Sequence, residues 1–340
     1  MFKDQNLIGI DIGTNSIKIA EINNANGVKT LVTYGISRHN INLDGYWDAT
    51  KIRKISKIIN DILDSGGFAA TRVMIGIRSE EVYVTTMDFE LNVSKKEIEQ
   101  EIDKQAKFFL PLPPDEMRLS WNIIEDDPRI QAYTSKQRVC INAAPEYILE
   151  NNRNLLEHIN LDGIGLENQT ISQIRSVLGS DQGNTVLVDL GSRHTTFSFV
   201  VDGVLRSSHS ISTGGDWLTR EITKNLGVNY IVAENLKKDI AFVNLFSIPK
   251  PMMDYFIIVR TELDQFIASN RKISQNPAKI VVTGGGIHLT GIANYFKDYH
   301  TPLFIGNPEI SLTIDLEHRD YIYPVINQLS TAVGLASKEV

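Results

Sequence analysis

The sequence has 340 residues and only one cysteine, Cys140. A single thiol can form neither an intrachain disulfide nor a cysteine-based metal cluster, and such scarcity is typical of a reducing compartment. The seven histidines are scattered, and no two of them are spaced as i and i+4. A metal site built from histidines is therefore not expected.

The sequence also lacks a long apolar run and an excess of positive charge. One of the longest apolar runs, Tyr255 to Val259, is enclosed by Asp254 and Arg260, whereas a membrane span requires about 20 residues. The N-terminus has no signal-peptide core. The formal net charge is -7, which argues against a broad basic face for nucleic acid. We expect a cytoplasmic protein that binds no nucleic acid and reaches a membrane only through partners.

A strand-rich pattern occurs twice along the chain, and each copy contains Asp-x-Gly. Asp11-Ile12-Gly13 ends the first apolar strand and opens a hairpin, and Asp189-Leu190-Gly191 does the same in the second half. An internal repeat in a chain of this length predicts two similar lobes of mixed α/β structure.

The residues between the two copies have a different pattern. A long strand pattern is followed by a helix with a capping box at Ser94 and Glu97, which prolines from Pro111 onward terminate. This pattern predicts a small α+β insert. We expect a first lobe at 1–81, 167–182 and about 325–340, an insert at 82–166, and a second lobe at 183–324 with a subdomain at about 216–275.

The two Asp-x-Gly motifs have the chemistry of phosphate loops. Glycine lets the backbone approach an anion, while an aspartate can hold Mg²⁺ through water but would repel a phosphate. Lys18 follows Asp11 by seven residues and is placed to bring a compensating charge to the phosphates. The alternative is that Asp-Gly only forms a hairpin and that Lys18 is a solvated strand residue.

A third candidate motif is the apolar strand that runs into Gly284-Gly285-Gly286. Three glycines allow an adenine or ribose to lie against bare backbone, and the start of a following helix favours negative charge. The segment matches neither a Walker loop nor Gly-x-Gly-x-x-Gly. Alone, it could equally be a tight turn between a strand and a helix.

Together these motifs resemble the superfamily of actin, heat-shock chaperones and sugar kinases. Residues 11–18 resemble its first phosphate motif, 186–196 its second, 280–291 its adenosine motif and 326–336 its closing connecting helix. The resemblance covers the chain in the family order. It implies an actin-like, ribonuclease H-like duplicated ATPase fold with two lobes.

Within the superfamily, the chain resembles the branch that contains PilM and FtsA. The insert lies where that branch has its extra subdomain, and the segment Phe108 to Pro113 resembles the aromatic and proline stretch of the PilM family. The segment Ala233 to Lys237 resembles the helix on the nucleotide side. This resemblance implies ATP or ADP with Mg²⁺ as cofactors.

The same resemblance assigns roles to individual residues. Asp11 and Asp189 would organise Mg²⁺, Glu234 would bind the ribose hydroxyls, and Lys237 would lie beside the base. The phosphate contacts would come from Gly13, Thr14, Asn15, Lys18, Gly191, Ser192, Gly214 and Gly215, and Gly284, Gly285 and Gly286 would pass under the base. Alternatively, Glu234 and Lys237 form a plain i,i+3 pair, and Asp216 is an N-cap.

Hydrolysis requires a group that orients the attacking water. Glu167 lies in the first connecting motif, where the family often places such a residue, but it could also be a glutamate favoured at a helix start. Because this segment matches the family poorly, we expect at most a slow ATPase.

The resemblance also implies partners and alternatives. The expected partner is the cytoplasmic N-terminal peptide of a PilN-like inner-membrane protein, docked between the first lobe and the insert, with pilus motor ATPases as further candidates. This places the protein peripherally at the inner membrane. An FtsA-like or filament-forming protein is one alternative, and a small-molecule kinase is another, although no additional aspartate base stands out. Oligomerisation stays open.

Overall fold

The computed structural model describes residues 6–25, 27–124, 136–181, 183–239, 249–271, 276–289, 292–314 and 319–339. The predicted boundaries at residues 1, 182, 275 and 340 lie outside these ranges, as do the last two residues of the predicted adenosine motif.

Thirteen strands are found in the described residues. They are β1 (Asn6–Ile12), β2 (Ser16–Ala25), β3 (Val28–Arg38), β4 (Arg72–Ile77), β5 (Tyr83–Glu90), β6 (Met117–Ile124), β7 (Lys136–Pro145), β8 (Asp162–Asn168), β9 (Asn184–Leu190), β10 (Thr195–Val201), β11 (Val204–Ile211), β12 (Lys279–Thr283) and β13 (Leu303–Ile305).

Ten α-helices lie between and after these strands in the same part of the chain. They are α1 (Ala49–Gly66), α2 (Lys95–Phe109), α3 (Glu146–Leu156), α4 (Gln169–Val177), α5 (Gly215–Leu226), α6 (Tyr230–Asp239), α7 (Lys250–Ser269), α8 (Ile292–Phe296), α9 (Arg319–Ile322) and α10 (Ser330–Ala336).

Two five-stranded sheets repeat one topology. Their strand orders are β3-β2-β1-β4-β8 and β11-β10-β9-β12-β13, so each sheet has an antiparallel meander followed by two parallel strands. Asp11 and Asp189 occupy equivalent places near the ends of β1 and β9. The predicted duplicated α/β fold is confirmed. The repeat brings the carboxyl ends of both central strands to one cleft.

The insert is a three-stranded sheet in the order β5-β7-β6. One face packs on α2 through a small core that includes Ile98, Ile102 and Ile141. The other face shares a core with the second lobe, in which Cys140 and Leu205 take part. The insert therefore rests on the second lobe as well as on the first.

Helix α10 packs closely against both α4 and β1. Helix α10 lies so close to β1 that a Cβ on Gly9 would overlap the Ala332 carbonyl, and a Cβ on Gly334 would overlap the Ser172 carbonyl of α4. Backbone contact of this kind requires glycine. The single last helix expected from the sequence is divided into a 3-10 turn, Ile326–Leu329, and α10.

Over the part of the chain that the structure covers, no helix is both long and apolar enough to cross a membrane.

Candidate functional site

A cleft of about 370 Å³ lies where the two sheets meet. Its size falls within the usual range for small-molecule sites. Most of the residues predicted for the site line it, namely Asp11, Gly13, Thr14, Asn15, Lys18, Asp189, Gly191, Ser192, Gly215, Glu234, Lys237, Gly284, Gly285 and Gly286. Gly214 lies behind the lining, where a Cβ would overlap the Ser192 and Gly191 carbonyls. Glu167 is not among the lining residues.

The first wall of the cleft is the hairpin between β1 and β2. Asp11 and Lys18 are direct partners across the two strands, and Lys18 Nζ lies 2.8 Å from Asp11 Oδ2. The hairpin is closed by the Gly13 amide, which donates to the Ser16 carbonyl at 3.1 Å. The geometry therefore places an ammonium, a carboxylate and bare backbone side by side on the cleft surface.

The second wall is the matching hairpin between β9 and β10. The Gly191 amide donates to the His194 carbonyl at 3.0 Å, which repeats the closure seen at Gly13. Burial, with a smaller contribution from the negative charge of Asp11 and against the hydrogen bond from Gln173, raises the pKa of Asp189 to about 6. A buried carboxylate near a second carboxylate favours a bound cation. This donor set fits a hydrated Mg²⁺, which prefers carboxylate and water oxygens.

Helix α4 contributes two side chains that the motifs did not reveal. Gln169 Nε2 donates to Asp11 Oδ1, and Gln173 Nε2 donates to Asp189 Oδ2, each at 2.7 Å. The i,i+4 spacing of the two glutamines puts both amides on one helix face. That spacing was the available signal, but only the folded structure places the helix between the two aspartates.

The far end of the cleft is built by α5 and α6. Lys237 Nζ donates to Glu234 Oε2 at 2.6 Å, to Thr219 Oγ1 at 2.8 Å and to the Gly215 carbonyl at 3.0 Å. An ammonium has three protons, and Lys237 donates all three to Glu234 and to the first residues of α5. The Glu234 Oε1 atom lies 3.5 Å from Lys238 and is the better placed acceptor for a ligand.

Asp216 does not cap α5, contrary to the alternative raised from the sequence. Gly214 occupies the N-cap position, and Asp216 lies in the first helical turn. Its carboxylate accepts a hydrogen bond from the Tyr230 hydroxyl at 2.7 Å and pairs with Arg220 at 2.9 Å. Tyr230 and Asp216 both line the cleft.

The glycine loop, Gly284 to Gly286, also lines the cleft. Gly284 has a φ of 84°, and a Cβ there would overlap the Asp189 carboxylate, whereas a Cβ on Gly285 would meet only open space. The loop opens a four-residue 3-10 turn, Gly285–His288, and not the α-helix expected from the sequence. The loop therefore offers flat backbone beside Asp189 without a long helix behind it.

Glu167 lies in an ion-pair network outside the lining of the cleft, so its catalytic role stays a prediction that this geometry does not favour. Glu167 is 8% exposed, and its carboxylate accepts hydrogen bonds from Arg175 at 2.8 and 2.9 Å, Lys338 at 2.8 Å and Ser172 at 2.7 Å. Burial alone would raise its pKa, but these partners hold it below the usual value. In this arrangement the carboxylate is held by its partners and does not line the cleft, where an attacking water would be placed.

Comparison with known proteins identifies the fold and the family. The PilM–PilN type IV pilus biogenesis complex contains a chain that superposes with a TM-score of 0.83 at 16% identity, over 97% of both chains. MreB5 of Spiroplasma citri, solved with AMPPNP, superposes with a TM-score of 0.51 at 13% identity, over 95% of this chain and 97% of that chain. These likenesses show an actin-like ATPase fold, as the sequence predicted.

The sequence comparisons point the same way. The cell division protein FtsA of Streptococcus pneumoniae serotype 2 (strain D39 / NCTC 7466) is 25% identical in an alignment of 256 residues that covers 67% of this chain and 54% of FtsA. The chain thus spans about half the length of that relative. A family model described as type IV pilus assembly protein PilM matches residues 9–340. The chain therefore belongs to the PilM family of type IV pilus assembly proteins.

Proposed function

We propose that this protein binds ATP or ADP with Mg²⁺ between its lobes and acts as a nucleotide-dependent scaffold of a type IV pilus or related inner-membrane assembly platform. The observation that carries the proposal is the cleft itself. Two aspartates stand at equivalent strand ends, each beside a glycine hairpin and each bonded to one amide of α4.

Within the proposed complex, this chain's own groups have distinct tasks. Asp11 and Asp189 would hold the hydrated cation, which supplies positive charge against the phosphate oxygens. Lys18 and the amides of the two hairpins would bind phosphate, Glu234 would accept from the ribose, and the glycine loop would pass under the base. The fold likeness to a chain solved with AMPPNP supports this assignment.

Turnover is expected to be slow. Glu167 does not line the cleft, and the side chains that contact the two aspartates are Lys18 at Asp11 and the amides of Gln169 and Gln173. A neutral amide can orient a water but cannot accept its proton. The nucleotide would therefore act mainly by setting the conformation of the scaffold.

The scaffold role rests on the partner of a structural relative. That relative was solved as a PilM–PilN complex, which supports a PilN-like inner-membrane protein as the partner here. The proposed docking place for its cytoplasmic N-terminal peptide is between the first lobe and the insert, with the lobe and insert boundaries predicted above. Pilus motor ATPases are further proposed partners. Such contacts would place the protein at the inner membrane on its cytoplasmic side.

Fractionation of cells tests the scaffold proposal. Deletion of the cytoplasmic tail of the PilN-like partner should move this protein from the membrane fraction to the soluble fraction. The control is deletion of an equally long periplasmic segment of the same partner, which should leave the distribution unchanged. Membrane recruitment that survives loss of the tail would contradict the proposal.

A second candidate is a filament-forming role like that of FtsA. The 25% identity to a cell division FtsA favours it. Sedimentation with ATP and Mg²⁺ distinguishes the two roles, because filaments pellet and a monomeric scaffold stays in the supernatant.

A further inference from the structure

The mouth of the cleft carries a group of charged and polar side chains to which the sequence motifs assign no role. Asp44, Arg78, Glu80 and Glu81 come from the first lobe, and Arg193 and His194 come from the hairpin loop that follows Asp189. Arg78, Glu80 and His194 line the cleft.

Two contacts in this group join the lobes. Arg193 Nη1 lies 3.1 and 3.3 Å from the two carboxylate oxygens of Asp44. His194 Nδ1 lies 3.2 Å from Glu80 Oε1. Both contacts connect adjacent residues of one loop to the opposite side of the cleft, so that loop cannot move away from the first lobe without breaking them.

The charges on the two sides are complementary. In the first lobe, Arg78 is buried and faces three carboxylates: it contacts Glu81 and lies 3.8 Å from Glu80 and 3.9 Å from Asp44. Three negative charges around one positive charge leave this side net negative, and Arg193 supplies a compensating positive charge from the second lobe. Complementary charge of this kind favours the closed arrangement.

The loop that carries Arg193 and His194 is also part of the candidate phosphate site. The Gly191 amide donates to the His194 carbonyl at 3.0 Å, and the Ser192 carbonyl accepts from the Asp216 amide at 2.7 Å. A displacement of Arg193 and His194 therefore shifts the backbone of Gly191 and Ser192, which line the cleft.

The first-lobe side of the contact is held by helix α3, whose Leu155 lies in the core of the first sheet. Asn151 of α3 accepts a hydrogen bond from the Trp47 amide at 2.8 Å and donates to the Gly45 carbonyl at 3.0 Å. These two hydrogen bonds hold the loop that carries Asp44 in place. If its contact with Arg193 were broken, the loop that carries Arg193 would therefore move more readily than Asp44.

We infer that Arg193 and His194, with Asp44 and Glu80, are positioning residues that form a latch across the cleft and slow the release of bound nucleotide. This inference rests on the proposed nucleotide site. Because the latch holds the two sides of the cleft together around a bound ligand, its loss raises the dissociation rate and changes the association rate less. Both contacts lie at the surface or half-buried, where ion pairs are weak, so each contact changes the dissociation rate by a factor of about 2 to 5.

Stopped-flow release of a fluorescent mant-ATP, chased by excess ATP with Mg²⁺, measures this effect in the full-length protein. Arg193→Ala and His194→Ala should each speed release by about 2- to 5-fold, and the double variant should be faster than either. Arg193→Lys should keep the rate within about 2-fold of the original, since it keeps a positive charge opposite Asp44.

Arg138→Ala is the matched control. Arg138 pairs with Asp88 at 2.6 Å between two strands of the insert, outside the cleft lining, so release should be unchanged. The latch is overturned if the double variant keeps the folded stability and the release rate of the original protein, or if Arg138→Ala speeds release equally. A failure of the unmodified protein to bind mant-ATP would instead overturn the proposed function, and the latch with it.

Discussion

Two carboxylates at matching strand ends determine the electrostatics of the cleft. Each accepts one amide proton from α4, and Asp11 also pairs with Lys18. In the described residues, no lysine donates a hydrogen bond to Asp189. Its pKa is raised to about 6, mainly by burial and less by the negative charge of Asp11. A cation in the cleft would relieve both effects, which is the physical reason to place Mg²⁺ there.

Glu167→Gln should separate a structural role from a catalytic one. The substitution keeps the shape of the side chain but removes its charge from the network with Arg175 and Lys338, so the free energy of unfolding should fall by about 2 kcal/mol at neutral pH. The affinity for ATP should change less than about 2-fold, because the side chain lies outside the cleft. Denaturant unfolding and ATP titration measure the two quantities.

The pH dependence gives a second check on Glu167. Its folded pKa lies below the usual glutamate value of 4.5, so its contribution to stability is fully present above pH 4.5 and is lost as the pH falls through the folded pKa. The stability difference between the original protein and Glu167→Gln should therefore shrink only below pH 4.5. A surface control, Glu157→Gln, should show no comparable difference. A constant difference across that range would contradict the ion-pair account.

The elements that matter most for the site are α4 and α10. Helix α4 carries both glutamines, and α10 holds it through the Gly334 carbonyl, which accepts from Arg175 at 2.6 Å, and the Ser330 carbonyl, which accepts from Ser176 at 2.7 Å. The close approach of the two helices depends on glycine at position 334. The position of the glutamine amides therefore depends on packing at the opposite side of α4.

Gly334→Ala should disturb the site from a distance. A methyl group cannot fit against the Ser172 carbonyl, so the helices must separate, and the free energy of unfolding should fall by about 2–3 kcal/mol. Gly285→Ala is the matched control for stability, since its methyl group would enter open space. Thermal unfolding measures both. Equal stability of Gly334→Ala and the original protein would show that the helices are not tightly packed.

The sequence predicted elements best where local patterns decide them. The two hairpins, the glycine loop strand and the capping box at Ser94 and Glu97 were all visible, and the structure contains them. The missed features are long-range. The pairing of Glu167 with Lys338 joins residues far apart in the chain, and the 3-10 geometry after Gly284 depends on packing against Leu190. Local patterns carry no information about either.

At the scale of the whole molecule, the insert links the two lobes. Cys140 lies in the core shared by the insert and the second lobe, and its thiol is 3.5 Å from the Leu205 carbonyl. A partner bound at the insert would therefore contact an element that also packs against the second lobe.

The reactivity of Cys140, the one cysteine in the sequence, measures how tightly the insert packs against the second lobe. Burial raises the pKa of Cys140 to about 11, against the nearby charge of Arg206, so the folded protein should react with a thiol reagent at pH 8 at least about 100-fold more slowly than the unfolded chain. Leu205→Ala should accelerate the reaction by loosening the insert, while Leu226→Ala on the exposed surface of α5 should not. Rapid labelling of the folded protein would contradict the packed arrangement.

Mg²⁺ and ATP are proposed to bind between Asp11 and Asp189 of the two lobes. Calorimetric titration of the purified protein with ATP and Mg²⁺ tests this proposal. We predict one site, a loss of affinity of at least about 10-fold in Asp11→Ala and in Asp189→Ala with the folded structure retained, and no change in Asp61→Ala on the exposed face of α1. Binding that survives both cleft substitutions, or no binding by the unmodified protein, would contradict the proposal.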